Sequence, residues 1–228
     1  MIATLKKVHR IGAEIYTFWF ETNRPVNNEP GQYIELTVPH NNPDNRGITR
    51  KFTVFSSPTE PLMAITTRIK PESSSYKKAL LNYKLGSKFS YTEPMGDFIL
   101  PMDSELPLLF IAGGIGITPF RSIIKWLKTC NQKRNIQLIY AVKDKSEFID
   151  KQLLSYVPTT FLLTDASPDW QGDTSKLTVK NICKFIDLTP QTFIYLSGSK
   201  ELVFMLKNNF IKQGTSKNKI ITDIFSGY

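Results

Sequence analysis

Leu108-Leu109-Phe110-Ile111-Ala112-Gly113-Gly114-Ile115-Gly116-Ile117-Thr118-Pro119 runs from an apolar segment through a glycine-rich turn to a Thr-Pro pair. Leu108–Ile111 reads as a short apolar strand, and Pro119–Thr129 as the helix that follows it. Glycines at 113, 114 and 116 remove side-chain bulk between them, so a dinucleotide backbone can approach the peptide chain. Amides at a helix start face a pyrophosphate well. Pro119 in the first helical turn sacrifices no needed amide bond, and Thr118 can cap the helix or bond to phosphate. The spacing departs from Gly-x-Gly-x-x-Gly, and glycine-rich strand–helix turns also arise for steric reasons alone. The strand before and the helix after carry the nucleotide reading.

Downstream of the loop the alternation continues. Strands are expected at Asn135–Tyr140, Thr160–Leu163, Phe193–Ser197 and Lys219–Thr222, with helices at Glu147–Leu154, Thr178–Phe185 and Lys200–Gln213. Alternating strands and helices imply a parallel sheet covered on both faces. Upstream the grammar differs. Thr4–Val8, Ile15–Glu21, Tyr33–Val38, Arg50–Phe55, Ala64–Ile69, Lys88–Thr92 and Phe98–Leu100 read as short strands between turns, broken by one helix over 73–82. That pattern is the signature of a small antiparallel β-barrel. The expected architecture is two domains: a barrel over residues 1–103 and an α/β parallel-sheet nucleotide-binding domain over 104–228.

Composition narrows the classes. With 29 Lys and Arg against 20 Asp and Glu the net charge is +9, which favours acidic partners or polyphosphate ligands. No nucleic-acid recognition motif or arginine-rich helix accompanies the charge, so nucleic-acid binding is not expected. Cys130, Cys183, His9 and His40 are too few for an iron–sulfur cluster and a poor set for zinc or haem, so no metal is expected; both thiols read as buried or half-buried. Met1–Lys7 leads into polar residues instead of an apolar signal core, and no apolar run approaches the roughly 20 residues of a membrane span. A cytoplasmic monomer is the expectation.

A second set of motifs carries a resemblance. Gly31-Gln32-Tyr33, Arg50-Lys51-Phe52-Thr53, Gly96-Asp97-Phe98, the Gly113–Pro119 loop, Tyr195-Leu196-Ser197-Gly198-Ser199 and the ending Asp223-Ile224-Phe225-Ser226-Gly227-Tyr228 occur in this order over nearly the whole chain. Together they resemble the ferredoxin–NADP reductase superfamily in its two-domain form without an iron–sulfur domain. The resemblance implies a flavin-dependent oxidoreductase that moves a hydride from NAD(P)H to FAD. It implies FAD more than FMN, because the pyrophosphate-type cluster and the start of the 73–82 helix suit the larger cofactor.

The resemblance also assigns roles. Arg50 would hold the flavin pyrophosphate, Phe52 would lie against the ring system, and Thr53 would bond near its hydride-accepting nitrogen. Tyr33, Thr66, Thr67, Ser74, Ser75 and Tyr76 would complete the flavin site, with Lys77 adding charge. Gly113, Gly114, Gly116, Thr118, Pro119 and Gly198 would hold the nicotinamide nucleotide. Ser197 departs from the cysteine common in the family, and Phe225 or Tyr228 would cover the flavin face. Thr53, Ser197 and Phe225 are therefore the catalytic candidates.

Donor and acceptor stay open. Asp165 in Leu163-Thr164-Asp165-Ala166-Ser167 suits a free ribose diol, whereas Lys143, Lys145 and the positive second half favour the 2′-phosphate of NADPH over NADH. The resemblance implies a separate electron acceptor, such as an acidic ferredoxin or flavodoxin. The Ser197 departure motivates an alternative, a flavin-bound electron-transfer or docking subunit with little nicotinamide turnover of its own.

Overall fold

The computed structural model describes residues 1–12, 14–165 and 168–225. The first half forms β1 (Ile2–Ile11), β2 (Ile15–Thr22), β3 (Tyr33–Thr37), β4 (Thr49–Thr53), β5 (Met63–Arg68) and β6 (Lys88–Tyr91). They build one sheet in the order β4-β3-β6-β1-β2-β5, with every pairing antiparallel. Side-chain alternation drives this arrangement: Ile34 and Leu36 of β3 are buried while Tyr33, Glu35 and Thr37 stay half-buried. Past β4 the chain reaches β5, where Phe55 N donates to Ala64 O at 2.8 Å, so the two ends of the sheet approach each other. Helix α1 (Ser75–Asn82) enters between β5 and β6. Ser74 caps it by accepting from Lys77 N, and Tyr76 and Leu80, four apart on one face, are its buried residues. The Tyr76 hydroxyl donates to Leu36 O at 2.8 Å and ties the helix to the sheet.

The second half forms β7 (Leu108–Gly113), β8 (Ile136–Val142), β9 (Thr159–Leu163), β10 (Phe193–Ser199) and β11 (Ile220–Phe225), in the parallel order β11-β10-β7-β8-β9. Helices α2 (Thr118–Thr129), α3 (Lys151–Leu154), α4 (Val179–Ile182) and α5 (Lys200–Lys212) follow β7, β8, β9 and β10 in turn. Both faces of the sheet are apolar, as parallel sheets require. Leu109, Ile111 and Ile139 pack with Val179, Ile182, Val203 and Phe210, while Phe110, Leu138 and Tyr140 pack with the residues of α2.

Several expected elements differ. Phe98–Leu100 is not a strand: it runs along the domain joint, with the Phe98 ring 5.4 Å from Phe120 and 5.2 Å from Tyr195. The helix expected over 147–154 shrinks to α3, because Asp150 adopts φ +47 and no α-helix continues through a left-handed residue. The helix expected over 178–185 shrinks to α4, because its last amides, Lys184 N and Phe185 N, bond three residues back and tighten the turn. The glycine loop is itself a 3₁₀ turn over Gly114–Ile117 that leads into α2. Cys130 and Cys183, expected to be buried or half-buried, are both exposed free thiols, because each is the C-cap residue at the open end of its helix.

The joint between the halves is built from side chains that sequence reading passed over. Arg121 of α2 donates from Nε to Asp150 Oδ2 at 2.7 Å, pairs with Glu60, and lies 4.5 Å over the Phe55 ring. Burial opposes its charge, but the bonds from Glu60 and Asp150 outweigh it and the guanidinium is held above its ordinary range. Ser122 Oγ donates to Ser56 O at 2.7 Å, and the Tyr195 hydroxyl to Ile99 O at 2.7 Å. Among the described residues, no helix is long and apolar enough to cross a membrane, and no cluster of His, Cys, Asp and Glu could hold a metal.

Candidate functional site

A cleft of about 1500 Å³ runs between the two sheets. On one side stand β4, β5 and the start of α1; on the other are the C-terminal ends of β7, β8, β10 and β11. Ligands of parallel α/β sheets bind at that end of the strands.

On the barrel side Arg50 is fixed from several directions. Its Nη2 pairs with Asp44 Oδ1 at 2.7 Å, and its Nη1 donates to Arg46 O, Gly47 O and Thr49 O at 2.7, 2.9 and 2.8 Å. The guanidinium carbon rests 5.0 Å above the Tyr76 ring, which itself stacks against Phe52 at 5.9 Å. Asp44 is held down to about 2, first by its hydrogen bond to Arg46 and with help from the Arg50 charge. Tyr76 is wholly buried with its hydroxyl spent on Leu36 O, so it supports Arg50 and Phe52 from beneath. Ser75 Oγ closes the 40–44 loop through His40 Nε2 at 3.1 Å and Asp44 N at 3.2 Å. Thr66 Oγ1 shares a bond with Thr17 Oγ1 at 2.8 Å across the sheet. Thr67 is buried on β5 at the cleft, and Tyr33 stands at its edge with Lys51 Nζ 4.9 Å over its ring. Beside Ser74, burial and then the charges of Arg46 and Arg68 hold the Lys77 ammonium down to about 8. Such crowding of cations favours an anion in the same space.

The nucleotide side revises one expectation. A Cβ on Gly116 would stand 2.2 Å from Ser197 O, and one on Gly113 would stand 2.3 Å from Leu202 Cδ2. These two glycines therefore let the loop pack against β10 and α5. Gly114, at φ +55, supplies the left-handed turn at the cleft wall. Pro119 is buried in the first turn of α2, and Thr118 Oγ1 beside it is buried without a hydrogen-bond partner among the described residues. Gly198, the next-to-last residue of β10, has φ +156.

Strand register sets Ser197 opposite Asp223, and Ser199 opposite Phe225. Thr53 Oγ1 donates to Asp223 Oδ2 at 2.8 Å across the domain boundary. Burial pushes the Asp223 carboxyl up to about 6, partly offset by that bond. Ser197 Oγ is buried with no hydrogen-bond partner among the described residues. Phe225 closes the far end of β11 at the cleft; Tyr228 lies outside the described residues. Asp223 was present in the quoted ending but was not singled out, and only the β10–β11 register shows it beside Ser197. Lys143 and Lys176 also line the nucleotide half, whereas Asp165 is exposed outside it.

These features fit a dinucleotide and a flavin. The Thr118 and Ser197 hydroxyls are buried without a hydrogen-bond partner among the described residues, a glycine turn opens the wall, and a cationic corner lies at the start of α1. The oxidoreductase NAD-binding domain family matches residues 110–208. Flavohemoprotein A of Dictyostelium discoideum is 24% identical over 227 residues, covering 93% of this chain and 57% of the relative. The chain thus spans about half the length of the curated relatives it matches. A flavohemoglobin from Malassezia yamatoensis, solved with bound FAD and heme, superposes with a TM-score of 0.82 at 20% identity over 99% of this chain and 60% of that one. A ferredoxin NADP+ reductase from Neisseria gonorrhoeae, solved with bound FAD and NADP, superposes at 0.82 with 17% identity over 98% of both chains. The chain thus matches the oxidoreductase NAD-binding domain family over residues 110–208 and shares the two-sheet fold of these solved flavoproteins.

Proposed function

We propose that the chain is a flavin-dependent NAD(P)H oxidoreductase: it takes a hydride from NAD(P)H onto FAD and passes electrons to a separate acceptor such as a ferredoxin or flavodoxin. The observation that carries this reading is the cleft between the two sheets, lined by Arg50, Thr53 and Lys77 on one side and by Gly114 and Asp223 on the other, with Thr53 bonded to Asp223 across it. Arg50, Ser74 and Lys77 would hold the flavin pyrophosphate, with Phe52 and Thr67 beside the remainder of the cofactor. Gly114, Thr118 and the start of α2 would hold the nicotinamide nucleotide. A bound flavin supplies the chemistry of hydride acceptance and of one- or two-electron release.

The protein's own contribution is orientation and proton management. The two domains hold donor and acceptor sites at one point, which converts an encounter into a positioned reaction. The buried Ser197 hydroxyl offers a hydrogen bond without bulk. Asp223, poised near 6, can hold or release a proton towards Thr53 Oγ1. Lys143 and Lys176 in the nucleotide half favour NADPH over NADH. The overall charge of +9 favours an acidic protein acceptor through long-range steering.

An anaerobic titration of the FAD-loaded protein tests the reading. NADPH and NADH are added separately while the flavin absorbance is followed. Bleaching by one equivalent of NADPH, with NADH weaker, is the expected result. Bound flavin that neither donor bleaches would overturn the reductase reading in favour of a docking subunit, and failure to retain FAD would overturn both.

A further inference from the structure

Outside the cleft, one lysine is set among aromatic rings. Lys151, the first residue of α3, places Nζ 5.0 Å from the Phe148 ring centre, 4.9 Å from Phe161 and 5.4 Å from Trp170. The three rings also hold one another: Phe148 stacks on Trp170 at 5.6 Å and meets Phe161 edge-on at 5.3 Å. Three aromatic faces around one ammonium form a cation cage. Here the cation belongs to the protein, and the residue before it, Asp150, is fixed by its bond to Arg121.

Phe161 lies on β9, the edge strand of the parallel sheet, and Trp170 lies on the segment that covers that edge. The Trp170 indole donates from Nε1 to Asp173 O at 3.1 Å, and a Cβ on Gly172 would meet its ring at 2.6 Å, so the indole lies flat on its own chain. Asp173 O also accepts from Leu163 N at 3.0 Å, and Asp173 Oδ1 from Ser175 N at 2.6 Å. Directly after Ser175, Lys176 to Thr178 form a wall of the nucleotide half of the cleft.

We propose that Lys151 is a positioning residue for the nicotinamide nucleotide: its ammonium, caged by Phe148, Phe161 and Trp170, pins the strap over β9 and so sets the wall at Lys176 to Thr178. The inference rests on the function proposed above and names a control on the same site. Lys151 does not line the cleft; its effect passes through Trp170. An arginine keeps the cation and its stacking, whereas a methionine keeps the stem and removes the charge.

The test compares wild type, Lys151→Met and Lys151→Arg. Backbone hydrogen exchange over residues 168–178 is measured on the ligand-free protein, and NADP+ and NAD+ binding by calorimetry on the FAD-loaded protein. Lys151→Met is expected to exchange faster over that strap and to bind nucleotide about three- to tenfold more weakly, the size of one cation–π contact. KM for the donor should rise in parallel while kcat and flavin content stay within about twofold. Lys151→Arg should restore both exchange and binding. Unchanged exchange in Lys151→Met overturns the pinning, and faster exchange with unchanged binding overturns the positioning. Wild-type protein that binds neither nucleotide overturns the proposed function itself, and the positioning role with it.

Discussion

At the scale of single residues, Asp223 is the group whose chemistry the fold changes most clearly. Its carboxyl titrates at about 6 against an ordinary 3.8, because burial disfavours the anion. The neutral acid is thus the form the native state prefers. Its stabilising contribution is complete below the unfolded value of 3.8 and is lost as pH rises through about 6. Asp223→Asn, which stays neutral, should match wild type in thermal unfolding near pH 4 and exceed it increasingly towards pH 7.5. The same variant should lose any inflection near pH 6 in the rate of flavin reduction, as read by rapid mixing. Arg50→Met should lower FAD affinity by at least about tenfold, since a charge-assisted bond to phosphate contributes about 1.5–3 kcal/mol; fluorescence of released flavin measures it. Sequence reading reached Arg50, Thr53 and Ser197 through motif order, but it passed over Asp223. An aspartate near a chain end carries no local mark, and its role depends on a strand register and on Thr53, 170 positions away.

At the scale of elements, the glycine loop separates two kinds of constraint. Gly116→Ala puts a methyl against the backbone of Ser197 and Gly198, which cannot swing aside, whereas Gly113→Ala meets the end of the Leu202 side chain, which can. Gly116→Ala should therefore cost about 1–3 kcal/mol of stability and Gly113→Ala clearly less, by chemical denaturation. Long periodic elements were legible: β2, β3, β5, α2 and α5 lie within a residue or two of where alternation and apolar spacing set them. The failures share a cause. The expected helices at 147–154 and 178–185 and the strand at 98–100 all have apolar residues at acceptable spacing. What ended them was tertiary: Asp150 bent to reach Arg121, one turn sufficed to bury Val179 and Ile182, and Phe98 was taken into the joint. In the glycine loop Gly113 and Gly114 line the cleft, while Gly113 and Gly116 serve contact within the protein.

At the scale of the whole molecule, the cleft exists only because the halves are fixed together. Arg121, bonded to both Glu60 and Asp150, lies at the centre of that joint and is 8% exposed. Arg121→Met leaves Glu60 in a half-buried place without its cation and should lower stability by about 3 kcal/mol, measured by urea unfolding. It should also weaken nucleotide-driven flavin reduction more than flavin binding, because the flavin side is built largely from one domain. The proposed function requires one cleft to bring a nicotinamide and a flavin together for direct hydride transfer. Anaerobic rapid mixing of the FAD-loaded protein with NADPH deuterated at C4 tests it most directly. Direct transfer predicts flavin bleaching that slows with deuterium on one face of the nicotinamide ring and is unaffected by deuterium on the other. Bleaching insensitive to deuterium on either face, in a reaction shown to be limited by the reductive step, would contradict it, as would a flavin that NADPH does not reduce at all.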